Sequence, residues 1–188
     1  IIITTKKGQE GRVEVNLSSK LSTMWVNRLP EQQSTYKRGT FGDTGIFTDL
    51  GVLNSWGEKF QPGETIYDNV SDFFENGITW DNNVSISGGG KNNNFFLSLS
   101  RFNQDGIIPE TGYTKNTIRF NGEQRYGKLT VGANMAYSIA DSDKSLTSGG
   151  LYDSGGTGAM NSVFRWPRNE RMSHWLNEDG SKYRLFPD

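Results

Sequence analysis

The chain has 188 residues, 33% of them hydrophobic and 22% charged, with 23 Gly, no Cys and a formal charge of −1. Its 20 Lys and Arg against 21 Asp and Glu argue against a nucleic-acid binder, which needs a clustered basic surplus, and the lack of cysteine excludes a disulfide framework and thiolate metal sites. No run of 18 apolar residues occurs, so no transmembrane helix is expected. Membrane β-strands leave a much weaker trace per segment.

Ile1-Ile2-Ile3-Thr4-Thr5 is a β-branched run of the buried-strand kind. A chain seldom starts in mid-strand, so this start is expected to belong to a longer protein. From Gly11 to about Trp25 the period is two: Val13, Val15, Leu17 and Leu21 fall on one face, and Glu14, Asn16, Ser18 and Lys20 on the other. The same alternation returns from Trp80 to Ile139. Val84 and Ile86 oppose Asn83, Ser85 and Ser87, and Phe95, Leu97 and Leu99 oppose Ser98 and Ser100. Ile118 and Phe120 oppose Thr117, Arg119 and Asn121. Leu129, Val131, Ala133, Met135, Tyr137 and Ile139 oppose Thr130, Gly132, Asn134, Ala136 and Ser138. No stretch keeps apolar residues at helical spacing, and Val70 to Glu75 is expected to form one short helical turn at most.

The joints alternate in length. Gly88–Asn94 and Gln124–Lys128 are rich in turn residues, whereas Asn103–Tyr113 is longer, and Asn27–Thr79 and Ala140 to the end are long and polar. Structureless loops of that length are uncommon in compact domains. They are expected in an outer-membrane barrel, which has short turns on the periplasmic side and long loops outside. The polar strand faces carry mostly Ser, Thr, Asn and Gly, as a crowded wet lumen requires. Aromatics lie near strand ends, with Trp80, Phe102, Tyr113 and Tyr137 toward the long loops and Phe95 and Tyr126 toward the short turns. That arrangement fits interfacial girdles, though strands are enriched in aromatics anyway. Five strands cannot close a barrel, and an open edge in lipid leaves backbone groups unpaired, so a membrane reading needs further strands.

These residues resemble a known family. Ile1-Ile2-Ile3-Thr4-Thr5-Lys6-Lys7-Gly8 is similar to the end of the plug domain in SusC/RagA-type TonB-dependent transporters of Bacteroidetes, where it leads into the first barrel strand. Ser55-Trp56-Gly57, Tyr67-Asp68-Asn69-Val70-Ser71-Asp72-Phe73-Phe74 and Asn82-Asn83-Val84-Ser85-Ile86-Ser87-Gly88-Gly89 match further family segments. So do Phe96–Ile108, Thr117-Ile118-Arg119-Phe120-Asn121 and Val131-Gly132-Ala133-Asn134. No one motif is specific, but they fall in the family's order over residues 1 to about 140. Ser142–Asp188 matches loosely, through the turn Asn177-Glu178-Asp179-Gly180-Ser181.

The resemblance implies an all-β fold: an antiparallel transmembrane β-barrel segment, about five strands of a plugged barrel of about 22, with long extracellular loops. Residues 1–10 would be the plug's last strand and linker, 11–140 the first barrel strands with a long loop at 27–79, and 141–188 an extracellular loop region. It also implies the outer membrane of a Gram-negative bacterium, import of glycan or peptide oligomers, and a SusD-like lipoprotein lid. The other partners would be TonB, reached through N-terminal parts outside this sequence, the remainder of the barrel and the lipid bilayer. No cofactor is expected. The alternative is a soluble extracellular all-β carbohydrate-binding module.

Transporters of polar oligomers hold their cargo on aromatic faces and by hydrogen bonds from Arg, Asn and Asp. The substrate-binding candidates are Trp56, Trp166, Arg168 and Trp175; the plain alternative is that they pack loops together or meet the lipoprotein. Arg119 and Arg101 are candidates to face the lumen or plug, but alternation puts Arg101 on the Leu99 side, where it would snorkel to headgroup level. No enzyme motif stands out. His174, beside Trp175, lacks an acidic partner at strand or helix spacing. Asp141-Ser142-Asp143-Lys144-Ser145 opens like a calcium loop but lacks the sixth-place Gly and twelfth-place Glu, which makes it an expected solvated loop. Gly88-Gly89-Gly90-Lys91 precedes no helical pattern and is no phosphate loop.

Overall fold

The computed structural model describes residues 8–39, 54–144, 158–174 and 176–181. Alternating β-branched and polar residues give five strands, β1 (Glu14–Met24), β2 (Gly77–Gly90), β3 (Asn93–Asp105), β4 (Gly112–Tyr126) and β5 (Leu129–Asp143). They form one antiparallel sheet in the order β1-β2-β3-β4-β5, so every strand pairs with its neighbours in sequence. The hairpins expected from the alternation, 80–88 beside 94–103 and 114–124 beside 128–139, are present in that pairing. The chain divides into two compact units, Ile1–Trp25 with Asn76–Lys144, and Val26–Glu75 with Ser145–Asp188.

The joints keep the short-and-long pattern. Only Lys91 and Asn92 lie between β2 and β3, and only Gly127 and Lys128 between β4 and β5. Gly127 has φ +58°, at the first central position of a two-residue hairpin, where a side chain would be strained. At the opposite end β3 and β4 are joined through 106–111, closed by Gly106 N–H donating to Thr111 O at 2.8 Å. That joint is shorter than the expected Asn103–Tyr113, because the strands run on past the last apolar residues. β5 likewise continues through Asp141 and Asp143, opposite Thr114 and Gly112. Those two acids are therefore strand residues, which corrects their reading as a solvated loop.

Register sets the two faces. Leu17, Val84, Leu99, Ile118 and Tyr137 form one cross-strand row, and Val15, Ile86, Leu97, Phe120 and Met135 the next. On the other face Asn16, Ser85, Ser98, Arg119 and Ala136 stand in one row. The apolar face is uncovered: Leu17 is 80% exposed, Tyr137 64% and Ile118 44%. Removing each such side chain from water is worth about 1.5–3 kcal/mol, so a bare face of this size cannot rest in water. Among the described residues, no second sheet lies on it.

Aromatic placement departs from two girdles. Trp80 and Phe95 lie on the apolar face, but Phe102 and Tyr113 lie on the polar face, with ring centroids 6.0 Å apart. Tyr137 sits mid-strand beside Ile118 rather than near an end. Alternation, not distance from the strand end, decides which side an aromatic faces.

The second unit holds the two buried hydrophobic side chains found among the described residues, Val70 and Val163. Val70 belongs to α1 (Asn69–Phe73), the one helical turn expected there. Val163 belongs to α2 (Ala159–Arg165), which was not expected. Its apolar Met160, Val163 and Phe164 do keep i, i+3, i+4 spacing, but over a single turn too short to register as a period.

Candidate functional site

The site is built in the second unit from two segments distant in sequence. A small ladder joins 35–39 to 54–60: Lys37 N–H donates to Glu58 O at 2.8 Å, Gly57 N–H to Lys37 O at 3.0 Å and Phe60 N–H to Thr35 O at 3.0 Å. Gln33 fastens its start. The Gln33 Oε1 accepts from the Thr35 and Tyr36 amides at 2.8 Å each, and its Nε2 donates to Tyr36 O at 2.7 Å and Ser55 O at 2.9 Å. This frame presents Trp56, 60% exposed, with its ring 5.6 Å from that of Tyr36.

Charge supports the same ladder. Lys37 Nζ donates to Glu64 Oε1 at 2.9 Å and lies 3.6 Å from Glu58 Oε2. The Gln61 amide donating at 2.6 Å, and then Lys37, hold the Glu64 carboxyl below its ordinary pKa. The Glu64 hydrogen bond in turn raises Lys37.

The second segment is α2 together with the residues just after it. Trp166 closes the helix with ψ 127°, the extended conformation that Pro167 imposes on the residue before it. Arg168 then lies across to the first segment. Its Nε donates to Tyr67 O at 2.9 Å and its Nη1 to Gln32 O at 3.5 Å, while Tyr67 N–H donates to Arg168 O at 2.8 Å. Gln32 Nε2 donates to Phe164 O at 3.1 Å.

Between the segments lies a cleft of about 450 Å³, lined among others by Gln32, Trp56, Phe164, Arg165, Trp166 and Arg168. Three of the four candidate residues thus come together; Trp175 lies outside the described residues. Their situations differ. Trp56 offers an open ring face, Trp166 is half-buried, and Arg168 spends its hydrogen bonds on joining the loops. Arg165, exposed at the rim, was missed, although it adjoins Trp166 in sequence. Gln32 carries no sequence signal at all. Trp166 Nε1 and Gln32 Oε1 are buried at the cleft without a hydrogen-bond partner among the described residues, an uncommon arrangement. A flat ring, a guanidinium and amides around a cleft can hold a polar oligomer by stacking and hydrogen bonding.

The strand arginines fall as alternation requires: Arg119 stands opposite Ser98 on the polar face, and Arg101 shares the face of Leu99.

No family model matches the chain. Two TonB-dependent receptors of Formosa agariphila are similar in sequence. Receptor P26 is 26% identical over 155 residues, 78% of this chain and 15% of that protein. Receptor P3 is 22% identical over 167 residues, 88% of this chain and 16% of that protein. The chain therefore spans about a sixth of the length of these relatives. In structure it is similar to the RagAB peptide importer in its closed-closed state, with a TM-score of 0.56 and 18% identity, over 98% of this chain and 23% of that one. Sequence and fold point the same way, and the resemblance to SusC/RagA-type TonB-dependent transporters, read from the motifs, is borne out.

Proposed function

We propose that the chain forms part of the wall and outer loops of an outer-membrane importer in a Gram-negative bacterium, driven through TonB. One observation carries this reading: a single-layer sheet with a bare apolar face backed by a Ser-, Thr- and Asn-rich one. Such a wall faces lipid on one side and a wet lumen on the other. Its shortest strand, β1, has 11 residues. At about 3.4 Å per residue and a tilt of about 40°, that length covers roughly 29 Å, enough for the apolar thickness of an outer membrane.

In this reading residues 1–10 end the plug, 11–140 supply barrel strands, and 27–79 with 141–188 are outside. The cargo is a polar oligomer, peptide or glycan, held at the cleft by Trp56, Trp166 and Arg165, with Arg168 keeping the cleft's two sides together and Trp175 a further contact. The likeness to RagAB, named as a peptide importer, supports an oligomer as cargo, and the family resemblance suggests a lipoprotein as lid.

Nitroxide labels at Val131 and Leu97 in the full-length protein, reconstituted in bilayers, test the wall. Both are expected to collide with lipid-dissolved oxygen, and a label at Ser98 with a water-soluble nickel chelate. Labels at Val131 and Leu97 shielded from both reagents would refute it.

A further inference from the structure

On the bare face, one row marks where the apolar band gives way to polar residues toward the long-loop end. Ser19, Asn82, Arg101 and Asn116 stand side by side across β1 to β4, one row nearer the long-loop end than Leu17, Val84, Leu99 and Ile118. The next row on that side, Leu21, Trp80, Asn103, Thr114 and Asp141, is already mixed, and an arginine on a lipid-facing strand costs from about 0–1 kcal/mol near the interface to about 2–4 at mid-depth.

The polar groups are arranged, not scattered. Trp80 Nε1–H donates to Ser19 Oγ at 2.9 Å, and Ser19 Oγ–H donates to Asn82 Oδ1 at 2.7 Å. That relay consumes the acceptor of Asn82 and leaves its two amide N–H groups as donors. Next to it stands Arg101, with five N–H donors, and then the Asn116 amide. Among the described residues no carboxylate pairs with Arg101. On this face the acids are Asp105, four residues further along β3, and Asp141 and Asp143, both two strands away on β5. The row is therefore a surplus of donors and positive charge, suited to a group with several anionic oxygens.

Directly beside it, toward the short turns, a groove of about 400 Å³ has walls of Leu17, Val84, Leu99, Ile118 and Tyr137, with Asn82, Arg101, Asn116 and Ile139 at its head. An occupant must thus carry an anionic, acceptor-rich head on a hydrocarbon tail. We propose that this row and groove seat a phosphate-bearing membrane lipid, its phosphate on Asn82, Arg101 and Asn116 and one acyl chain along Leu99, Ile118 and Tyr137. The proposal rests on the reading of this face as lipid-facing. It gives Arg101 a partner that no described carboxylate supplies.

Native mass spectrometry of the full-length protein, released from mild detergent after incubation with bisphosphorylated lipid A, tests it. The wild type is expected to retain lipid A, and Arg101→Gln to bind it about tenfold more weakly or less. Asn116→Leu is expected to weaken binding likewise, and is the variant to read if Arg101→Gln does not fold. Dephosphorylated lipid A should bind as weakly to the wild type as lipid A does to Arg101→Gln, and Arg119→Gln, on the opposite face, should change nothing. Equal retention by wild type and folded variants would overturn the proposal. So would displacement of lipid A by millimolar inorganic phosphate, which would mark a free-anion site, or a dimer that excludes lipid, which would mark a second copy as occupant. The labels at Val131 and Leu97 separate the two failures: lipid-exposed labels with indifferent Arg101→Gln leave the wall standing and remove only the headgroup site.

Discussion

A single amide shows how the second unit holds together. Asn69 is 2% exposed; its Nδ2 donates to Glu170 O at 2.8 Å and Pro167 O at 3.3 Å, and its Oδ1 accepts from Met172 N–H at 2.9 Å. Both ends of the side chain are used, on backbone about a hundred residues away. Asn69→Ala removes the acceptor of the Met172 N–H and a donor from the Glu170 and Pro167 carbonyls, of which Pro167 O keeps the Glu170 N–H at 3.1 Å. The loss expected is about 2–3 kcal/mol of local stability. Hydrogen exchange at the Met172 amide should quicken accordingly; unchanged exchange there would mean the contact is dispensable. The sequence marks Asn69 only as one letter of a family-like segment. Nothing local announces a partner at Glu170, because side-chain-to-backbone bonds of this reach obey no period. The same holds for Gln32 and Gln33, whereas Trp56, Trp166 and Arg168 are legible because large aromatic and guanidinium groups in polar loops stand out.

At the scale of elements the strands are the legible part. A period of two survives because one face is apolar along each strand, and that pattern also pins the register, since a one-residue slip would turn every side chain over. Strand ends are less legible: β3 and β5 continue through Asp105 and Asp143, where ladder hydrogen bonds persist after the apolar pattern stops. Register can be tested directly, because the chain has no cysteine of its own. Ser85 stands opposite Ser98 on the polar face. Ser85→Cys with Ser98→Cys should form a disulfide under mild oxidation, as directly opposed Cα atoms lie about 4.5–5.5 Å apart. Ser85→Cys with Ser100→Cys sits on a diagonal of about 7–8 Å and should remain reduced. The reverse result would place β3 two residues out of register.

For the molecule as a whole, two facts bear on each other. The sheet's outer strands, β1 and β5, have no outer neighbour among the described residues, and the chain spans 15–16% of its curated relatives. Open edges are incompatible with lipid, so a wall of this kind is completed by other strands. In the proposed reading the cleft is one part of a larger binding surface, and its share can be measured. With the full-length protein, calorimetric titration of short peptides and of glycan oligomers should identify one class that binds. Trp56→Ala should weaken that class about tenfold, the effect of losing an exposed aromatic anchor. Undiminished binding of both classes would return Trp56 to a role in loop packing with Tyr36.

The way the loops are joined also governs how they respond to temperature. Heat capacity rises on unfolding chiefly when apolar surface meets water. In the second unit the described long-range links are mostly amide and guanidinium bonds to backbone, with Val70, Val163 and the Pro167 ring as the deeply buried hydrocarbon among the described residues. Parting those segments hydrates little apolar area, so its free-energy change runs along a nearly straight line in temperature. A membrane wall and its loops then answer warming and cooling by different laws, with the loops losing cohesion on heating but hardly at all on chilling.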